Sequence, residues 1–374
     1  MNYRKFGNTG FDISVLGFGA MRLPQKEVNG EQVFDYEESV RIIHRAFELG
    51  VNYIDTAPYY CNKESEIIVG RALKGWRDRV KVSTKCPLDD CDTPEKVRAM
   101  LELSLKKLDV DTIDFYHCWG IGWETYEKTI RGAVLEELQK AKAEGLIQHL
   151  SFSFHDVPES MIKLVDTGVF ESVLCQYNLL DRSNEQALAH ATANGLGTVV
   201  MGPVGGGRLG APSAVIQSML PGGTRSSAET ALRYVLSNPN VCCALSGMGT
   251  LAMVEENCEI ASRPSTLTEA EKAQVLASME EKKKLAELYC TGCGYCMPCP
   301  QGVDIPKNFE IMNLHRVYGL TEAARGQYGN LGKGWAAKSL PASACIECGL
   351  CEEKCPQHIE IRRNLKETHE ALAR

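Results

Sequence analysis

Apolar positions along the chain follow two alternating periods. Short runs with apolar residues at successive or alternate positions occur at Val15–Phe18, Val51–Ile54, Val80–Thr84, Ile113–His117, Ile147–Phe152, Ser172–Cys175, Gly197–Met201 and Val241–Leu245, and each predicts a strand. Between them, apolar residues recur every third or fourth position. This predicts helices over Glu38–Leu49, Glu64–Leu73, Pro94–Leu108, Ala133–Glu144, Pro158–Val165, Asn184–Ala193, Ala228–Leu236 and Met253–Ile260. Boundary signals agree: Pro94 behind Thr93 is a first-turn proline after a cap, and Gly50 and Gly145 are helix stops. Ahead of the first unit, Tyr3–Phe6 and Phe11–Ser14 flank Gly7-Asn-Thr-Gly10 and read as a hairpin.

Eight strand–helix units in about 260 residues predict a (β/α)₈ TIM barrel. An open doubly wound sheet is the competing reading. It calls for a G-x-G-x-x-G turn after the first strand, and Leu16-Gly-Phe-Gly19 is not followed by one. Near residue 280 the composition shifts: Glu280-Glu-Lys-Lys-Lys284 reads as one solvated helix face leading into Cys290. Residues 1–285 are therefore expected to form the barrel. Residues 286–374 are expected to form a smaller, mostly helical domain, with a helix over Asn308–Val317 and a glycine-rich stretch at Gly326–Gly334.

At 374 residues and 44% hydrophobic, the chain can bury a large core and more than one domain. Its net charge of −7 gives no reason to expect nucleic acid or an anionic membrane as partner. No apolar run approaches the roughly 20 residues of a membrane span, and the start, Met1-Asn-Tyr-Arg-Lys-Phe6, has no apolar signal core. The expectation is a soluble, cytoplasmic protein. In that compartment the sixteen cysteines stay reduced, which favours metal ligation over disulfides. Eight are scattered and read as core residues, Cys86 and Cys118 included. The other eight form two tight groups after residue 289.

In a (β/α)₈ barrel the active site lies at the carboxyl ends of the strands. Asp55 ends the second strand and Tyr60 follows it, Lys85 ends the third, and His117 ends the fourth. Singly, each has an ordinary structural explanation. Together they suit carbonyl reduction, in which hydride attack leaves an oxyanion that needs a proton. Tyr60 can donate it, Lys85 is expected to lower its pKa from about 10, Asp55 can hold Lys85, and neutral His117 can orient the carbonyl oxygen.

These residues stand in motifs that resemble the aldo-keto reductase family over roughly residues 1–285: Tyr3-Arg-Lys-Phe-Gly7, Leu16-Gly-Phe-Gly-Ala-Met21, Asp55-Thr-Ala-Pro-Tyr-Tyr60, Ser83-Thr-Lys85, Ile113-Asp-Phe-Tyr-His117, Gln176-Tyr-Asn178 and Val254-Glu-Glu-Asn257. The resemblance implies a catalytic tetrad of Asp55, Tyr60, Lys85 and His117, and NADP or NAD extended over the barrel mouth. It implies that Gly19, Met21 and Asp55 line the nicotinamide site, that Ser153 and Gln176 bind the carboxamide, and that Glu256 and Asn257 lie at the adenine end. The chain departs from the family at three places. Phe154 stands where a second carboxamide partner is usual, Met201 where an aromatic commonly stacks on the nicotinamide, and Thr250 near the usual 2′-phosphate clamp, for which Arg225 or Arg263 can substitute. The loop Gly202-Pro-Val-Gly-Gly-Gly-Arg-Leu209 can offer backbone N–H groups to a pyrophosphate. Trp119 and Trp123 suggest an apolar pocket wall, though packing is the ordinary role of a tryptophan.

The cysteine groups are Cys290-x₂-Cys293-x₂-Cys296-x₂-Cys299-Pro300 and Cys345-x₂-Cys348-x₂-Cys351-x₃-Cys355-Pro356. Zinc is the competing reading of paired C-x₂-C motifs. Two four-cysteine runs, each ending in Cys-Pro, point instead to two [4Fe–4S] clusters with crossed ligation: Cys290, Cys293, Cys296 and Cys355 for one, and Cys345, Cys348, Cys351 and Cys299 for the other. Residues 286–374 resemble an α-helical ferredoxin. The expected function is an iron–sulphur aldo-keto reductase acting on a small carbonyl or alcohol. The alternative is an electron-transfer or redox-sensing protein, served by an electron-transfer partner, whose nicotinamide site is weak or vestigial.

Overall fold

A computed structural model describes the chain except residues 221, 265, 266, 291, 357 and 374. The chain forms two compact units, residues 1–204 with 231–266, and residues 205–230 with 267–374.

The first unit holds a closed barrel of eight parallel strands in sequential order. They are β1 (Leu16–Gly19), β2 (Tyr53–Asp55), β3 (Lys81–Cys86), β4 (Ile113–Ile121), β5 (Ile147–Phe154), β6 (Ser172–Gln176), β7 (Gly197–Met201) and β8 (Cys243–Ser246). Closure comes where β8 pairs with β1, Ser246 opposite Phe18. The helices that follow are α1 (Tyr36–Glu48), α2 (Ser65–Leu73), α3 (Pro94–Leu108), α4 (Ala133–Ala143), α5 (Pro158–Asp166), α6 (Glu185–Ala193), α7 (Ser227–Leu236) and α8 (Leu251–Ala261). Local chemistry starts them: the Asp35 side chain accepts from Glu38 N–H, and Thr93 accepts from Lys96 N–H ahead of Pro94. The fold is thus the barrel expected from the alternating periods, with strand ends shifted by at most four residues and Gly197–Met201 unshifted.

Two antiparallel hairpins lie outside the barrel. Tyr3–Lys5 pairs with Asp12–Ser14, and Arg4 from this hairpin donates to the carbonyl oxygens of Leu236 and Asn238, the first of them the last residue of α7. The second hairpin, Gln25–Val28 with Glu31–Phe34, turns through Asn29 and Gly30, both at positive φ. Inside the barrel, Phe6, Tyr53, Phe115, Leu174, Val199 and Leu245 share one buried core.

The second unit is mostly helical: α9 (Glu269–Tyr289), α10 (Ile305–Arg316), α11 (Thr321–Gly329) and α12 (Ile361–Leu372). A capping box between Thr268 and Glu271 starts α9. The charged run 280–284 is the continuation of that helix, and the expected boundary at residue 285 falls inside it. Ile305, Phe309, Ile361 and Leu365 are buried. Residues 205–230 join this unit, where Ser213 Oγ donates to Tyr318 O at 2.6 Å. Among the described residues, no helix is long and apolar enough to cross a membrane.

Candidate active site

Strand register brings the barrel site together. Asp55 lies opposite Ser83 and Lys85 opposite His117, so side chains on one face of β2, β3 and β4 meet at the carboxyl ends. The Lys85 Nζ donates to both Asp55 oxygens, at 2.6 and 2.8 Å, and to Thr56 O at 2.7 Å. Ser83 Oγ donates to Asp55 Oδ2 at 2.9 Å. Lys85 is 2% exposed and Asp55 3%, so this is a desolvated ion pair with its remaining valences met by hydrogen bonds. Burial is the largest influence and opposes the ammonium's charge, but Asp55 and Tyr60 together outweigh it and hold Lys85 above its ordinary range.

Tyr60 follows β2 on a left-handed turn. Cys61, Asn62 and Lys63 have φ of 51°, 52° and 74°, a conformation costing roughly 1–2 kcal/mol per non-glycine residue. The Cys61 thiol anchors that turn by donating to the carbonyls of Ala20 and Met21, both at 3.5 Å. Lys85 Nζ lies 4.7 Å from the centroid of the Tyr60 ring. Burial raises the Tyr60 pKa, and Lys85 offsets this only in part. The expectation of a net lowering by Lys85 is therefore corrected: desolvation of a phenolate outweighs the attraction of an ammonium already paired with Asp55.

His117 is fully buried. Burial first, and the nearby Lys85 charge second, push its pKa down to about 3, so the imidazole is neutral across the physiological range. Its Nε2 lies 3.5 Å from Tyr53 Oη, and the ring also meets the backbone of Phe152. Between Cys118 and Ile121 the register of β4 shifts, and Trp119 turns to the mouth, edge-on to Tyr60 at 5.7 Å and 5.8 Å from Tyr59. Trp123 instead stacks on Tyr126. Cys86 and Cys118 are buried.

The residues expected at the cofactor fall into groups. Gly19 pairs with Asp55 at the end of β1, and Met21 beyond it is 58% exposed. Ser153 Oγ accepts from Gly120 N–H at 2.8 Å and keeps its own hydrogen for another acceptor. Gln176 and Met201 are paired across β6 and β7. The Gln176 amide lies against Gly202 (φ 62°), where a Cβ would meet it at 2.9 Å. The exposed Met21 and the Gln176 amide at these strand ends fit a carboxamide-bearing ring. Phe154, which stands where the family's second carboxamide partner is usual, is fully buried. Asn257 is buried and donates to Ser246 Oγ at 3.1 Å, while its neighbour Glu256 is half-buried on α8. Thr250 caps α8 through Met253 N–H. Arg225 pairs with Glu229 and Arg263 with Glu259. Gly205, Gly206 and Gly207, from the loop expected to offer N–H groups, all have positive φ.

Sequence reading passed over Tyr53 and Ser83, although the period of two that places Asp55 and Lys85 places these residues directly beneath them.

In the second unit, the eight clustered cysteines line two cavities. Cys290, Cys293, Cys296 and Cys355 line one, walled by Ile305, Phe309 and Ile361. Cys299, Cys345, Cys348 and Cys351 line the other, which Cys296 also touches. Among the described residues no group of three or more His, Cys, Asp or Glu side chains is arranged to hold a single metal ion. The two loops repeat one backbone turn. Gly292 and Glu347 both have positive φ and donate N–H to the first thiol of their run, Cys290 at 3.3 Å and Cys345 at 3.4 Å; Gly294 and Gly349 follow with positive φ. Four thiols gathered around each of two cavities, with N–H groups aimed at sulphur, fit iron–sulphur clusters.

The sequence profile of the aldo/keto reductase family matches residues 15–278, and that of a 4Fe-4S dicluster domain matches residues 289–360. Among known proteins, the chain is similar to L-galactose dehydrogenase of Arabidopsis thaliana, 29% identical over 280 residues, covering 68% of this chain and 86% of that protein. It is likewise similar to an uncharacterised oxidoreductase, YqkF, of Bacillus subtilis, 28% identical over 304 residues and covering 72% and 94%. Among solved structures it resembles the holo form of the aldo-keto reductase AKR11C1 from Bacillus halodurans, with a TM-score of 0.64 and 26% identity over 74% of this chain and 96% of that one. An aldo/keto reductase from Klebsiella pneumoniae in complex with NADP and acetate shares the fold at a TM-score of 0.60 and 22% identity, over 72% and 92%.

Proposed function

The chain belongs to the aldo/keto reductase family and carries a 4Fe-4S dicluster domain, and from that premise we propose that it is an iron–sulphur oxidoreductase that reduces a small carbonyl, or oxidises the alcohol, with NADP or NAD. One observation carries the reading: the buried Lys85 ammonium, fixed by Asp55 at 2.6 Å, lies 4.7 Å from the centroid of the Tyr60 ring. A bound nicotinamide supplies the hydride in the reducing direction.

Tyr60 gives its proton to the oxygen that becomes negative. Burial keeps the phenol protonated, the state a general acid needs, and Lys85 steadies the phenolate that donation leaves behind. Asp55 keeps Lys85 in place, since an ammonium buried at this site without a partner would be strongly destabilised. Neutral His117 meets the carbonyl oxygen and orients it. Gly19, Met21, Asp55, Ser153, Gln176, Met201 and Gly202 would hold the nicotinamide, with Glu256 and Asn257 toward the adenine.

Cys290, Cys293, Cys296 and Cys355 would hold one [4Fe–4S] cluster, and Cys299, Cys345, Cys348 and Cys351 the other; each supplies one-electron chemistry when bound. The proposed division of labour assigns residues 1–285 to the nicotinamide and residues 286–374 to the clusters. A protein that carries single electrons is the proposed partner of the second part.

Two observations favour a second reading, an electron-transfer or redox-sensing protein with a weak nicotinamide site: a buried Phe154 stands where a carboxamide partner is usual, and Asn257 is turned to Ser246. Steady-state oxidation of NADPH and NADH over a panel of aldehydes and ketones separates the two. The first reading expects carbonyl-dependent turnover that Tyr60→Phe lowers by at least about 100-fold. Equal rates in wild type and variant sink it.

A further inference from the structure

The carboxyl end of β5 carries an imidazole that the proposed chemistry does not use. Phe154, the last residue of the strand, is fully buried, whereas His155 directly after it is exposed. The end of β4 sets where its ring lies. Ile121 pairs with Phe154, Gly120 N–H donates to Ser153 Oγ at 2.8 Å, and His155 Cδ2 comes within 4.0 Å of the place a Cβ on Gly120 would take. Gly120 follows Trp119, whose ring stands edge-on to Tyr60 at 5.7 Å. Burial first, and the Lys85 charge second, hold the His155 pKa below its ordinary value, so the ring lies within reach of the ammonium that serves Tyr60. His155 thus meets the strand end that carries Trp119, rather than Gln176 and Met201 on β6 and β7.

In neutral solution this ring is uncharged, and it has no hydrogen-bond partner among the described residues. A neutral imidazole offers one N–H donor and one acceptor nitrogen, and a hydroxyl group, which both donates and accepts, is its complement. A carboxylate only accepts, and an uncharged ring gives it no cation. The Trp119 indole beside Gly120 offers apolar surface to the carbon that bears the hydroxyl. We propose that His155 is a specificity-determining residue of the carbonyl site: its ring binds a hydroxyl group of the substrate, so that small hydroxy-aldehydes and hydroxy-ketones are favoured over plain alkyl carbonyls. This rests on the reading of Tyr60 as proton donor to a carbonyl.

Matched substrates test it on the cluster-loaded protein: glyceraldehyde against propanal, and hydroxyacetone against acetone. Wild type should favour the hydroxylated member of each pair in kcat/KM. His155→Phe should lose at least about tenfold on that member and less than about twofold on the other. His155→Gln, whose amide also donates and accepts, should restore most of the preference. Equal losses on both members, or none on either, overturn the proposal. So does a rise confined to KM for the nucleotide, which would place His155 at the carboxamide. Binding gives a second readout. With NADP or NAD present, glycerol should shift the ring resonances of His155 in ring-¹⁵N histidine protein, identified with His155→Gln, and propan-1-ol should not. Absence of carbonyl-dependent turnover in wild type would defeat the proposed function, while this titration would still decide the role of His155: equal shifts with the two alcohols, or none, overturn it.

Discussion

Tyr60 is held between two opposing influences, burial that favours the phenol and an ammonium that favours the phenolate, and burial prevails. The consequence for pH dependence has a definite sign. A phenol whose pKa lies above 10 remains a proton donor through neutral and moderately alkaline solution, and His117, with its pKa pushed down to about 3, stays neutral down to that range. Carbonyl reduction by wild type should therefore show no ionisation near pH 6.5, and kcat/KM should fall with rising pH only above pH 10. A break near 6.5 that disappears in His117→Gln would contradict this. The same shift acts on stability. The folded-state pKa of His117 lies below its ordinary 6.5, so the contribution is fully present above pH 6.5 and is lost as pH falls toward 3, by about 1.4 kcal/mol per unit within that window. Equilibrium unfolding of wild type and His117→Gln across this range should show the steeper acid loss in wild type.

Among the elements, the end of α3 runs against α2 at Gly70. A Cβ there would stand 2.5 Å from the carbonyl oxygen of Leu108, a backbone atom that cannot swing aside. Glycine to alanine inside a helix ordinarily stabilises by about 0.5–1 kcal/mol, but here the clash reverses the sign. Gly70→Ala should lower the thermal midpoint by several degrees, and a raised midpoint would show that the two helices can part without cost. The strands were legible because a parallel strand buried on both faces reads as a short apolar run, and their order followed from the alternation. The hairpin through Asn29 and Gly30 was missed although that dipeptide is a hairpin signal, because its strands carry no apolar alternation. Helix α9 was seen only as a charged run, since its start depends on the Thr268–Glu271 capping box. At the site, Asp55, Lys85 and His117 were legible from their places at strand ends. The Trp119 bulge and the left-handed turn after Tyr60 were not, because both are backbone departures that side-chain periodicity does not encode.

At the scale of the whole chain, the proposal places two chemistries on one polypeptide, and the proposed crossing of cysteines between the two runs makes the second one testable. Loaded protein should contain about eight irons per chain, and Cys355→Ser should lose the cluster served by Cys290, Cys293 and Cys296 while keeping the other. Iron analysis with electron paramagnetic resonance after reduction reads this, and loss of the Cys345–Cys351 cluster instead would assign Cys355 to its own run. Residues 205–230 leave the barrel between β7 and α7 and pack with residues 318 and 319, an excursion that neither composition nor periodicity announces. Clusters move one electron and a nicotinamide moves a hydride, so the origin of the hydrogen on the product carbon separates the two routes. With NAD(P)H deuterated at the transferred C4 position and the best carbonyl from the panel, mass spectrometry of the alcohol should find one deuterium on the former carbonyl carbon for every nucleotide oxidised. An alcohol whose new hydrogen comes from water, at the same turnover, would contradict hydride transfer at the Tyr60 site.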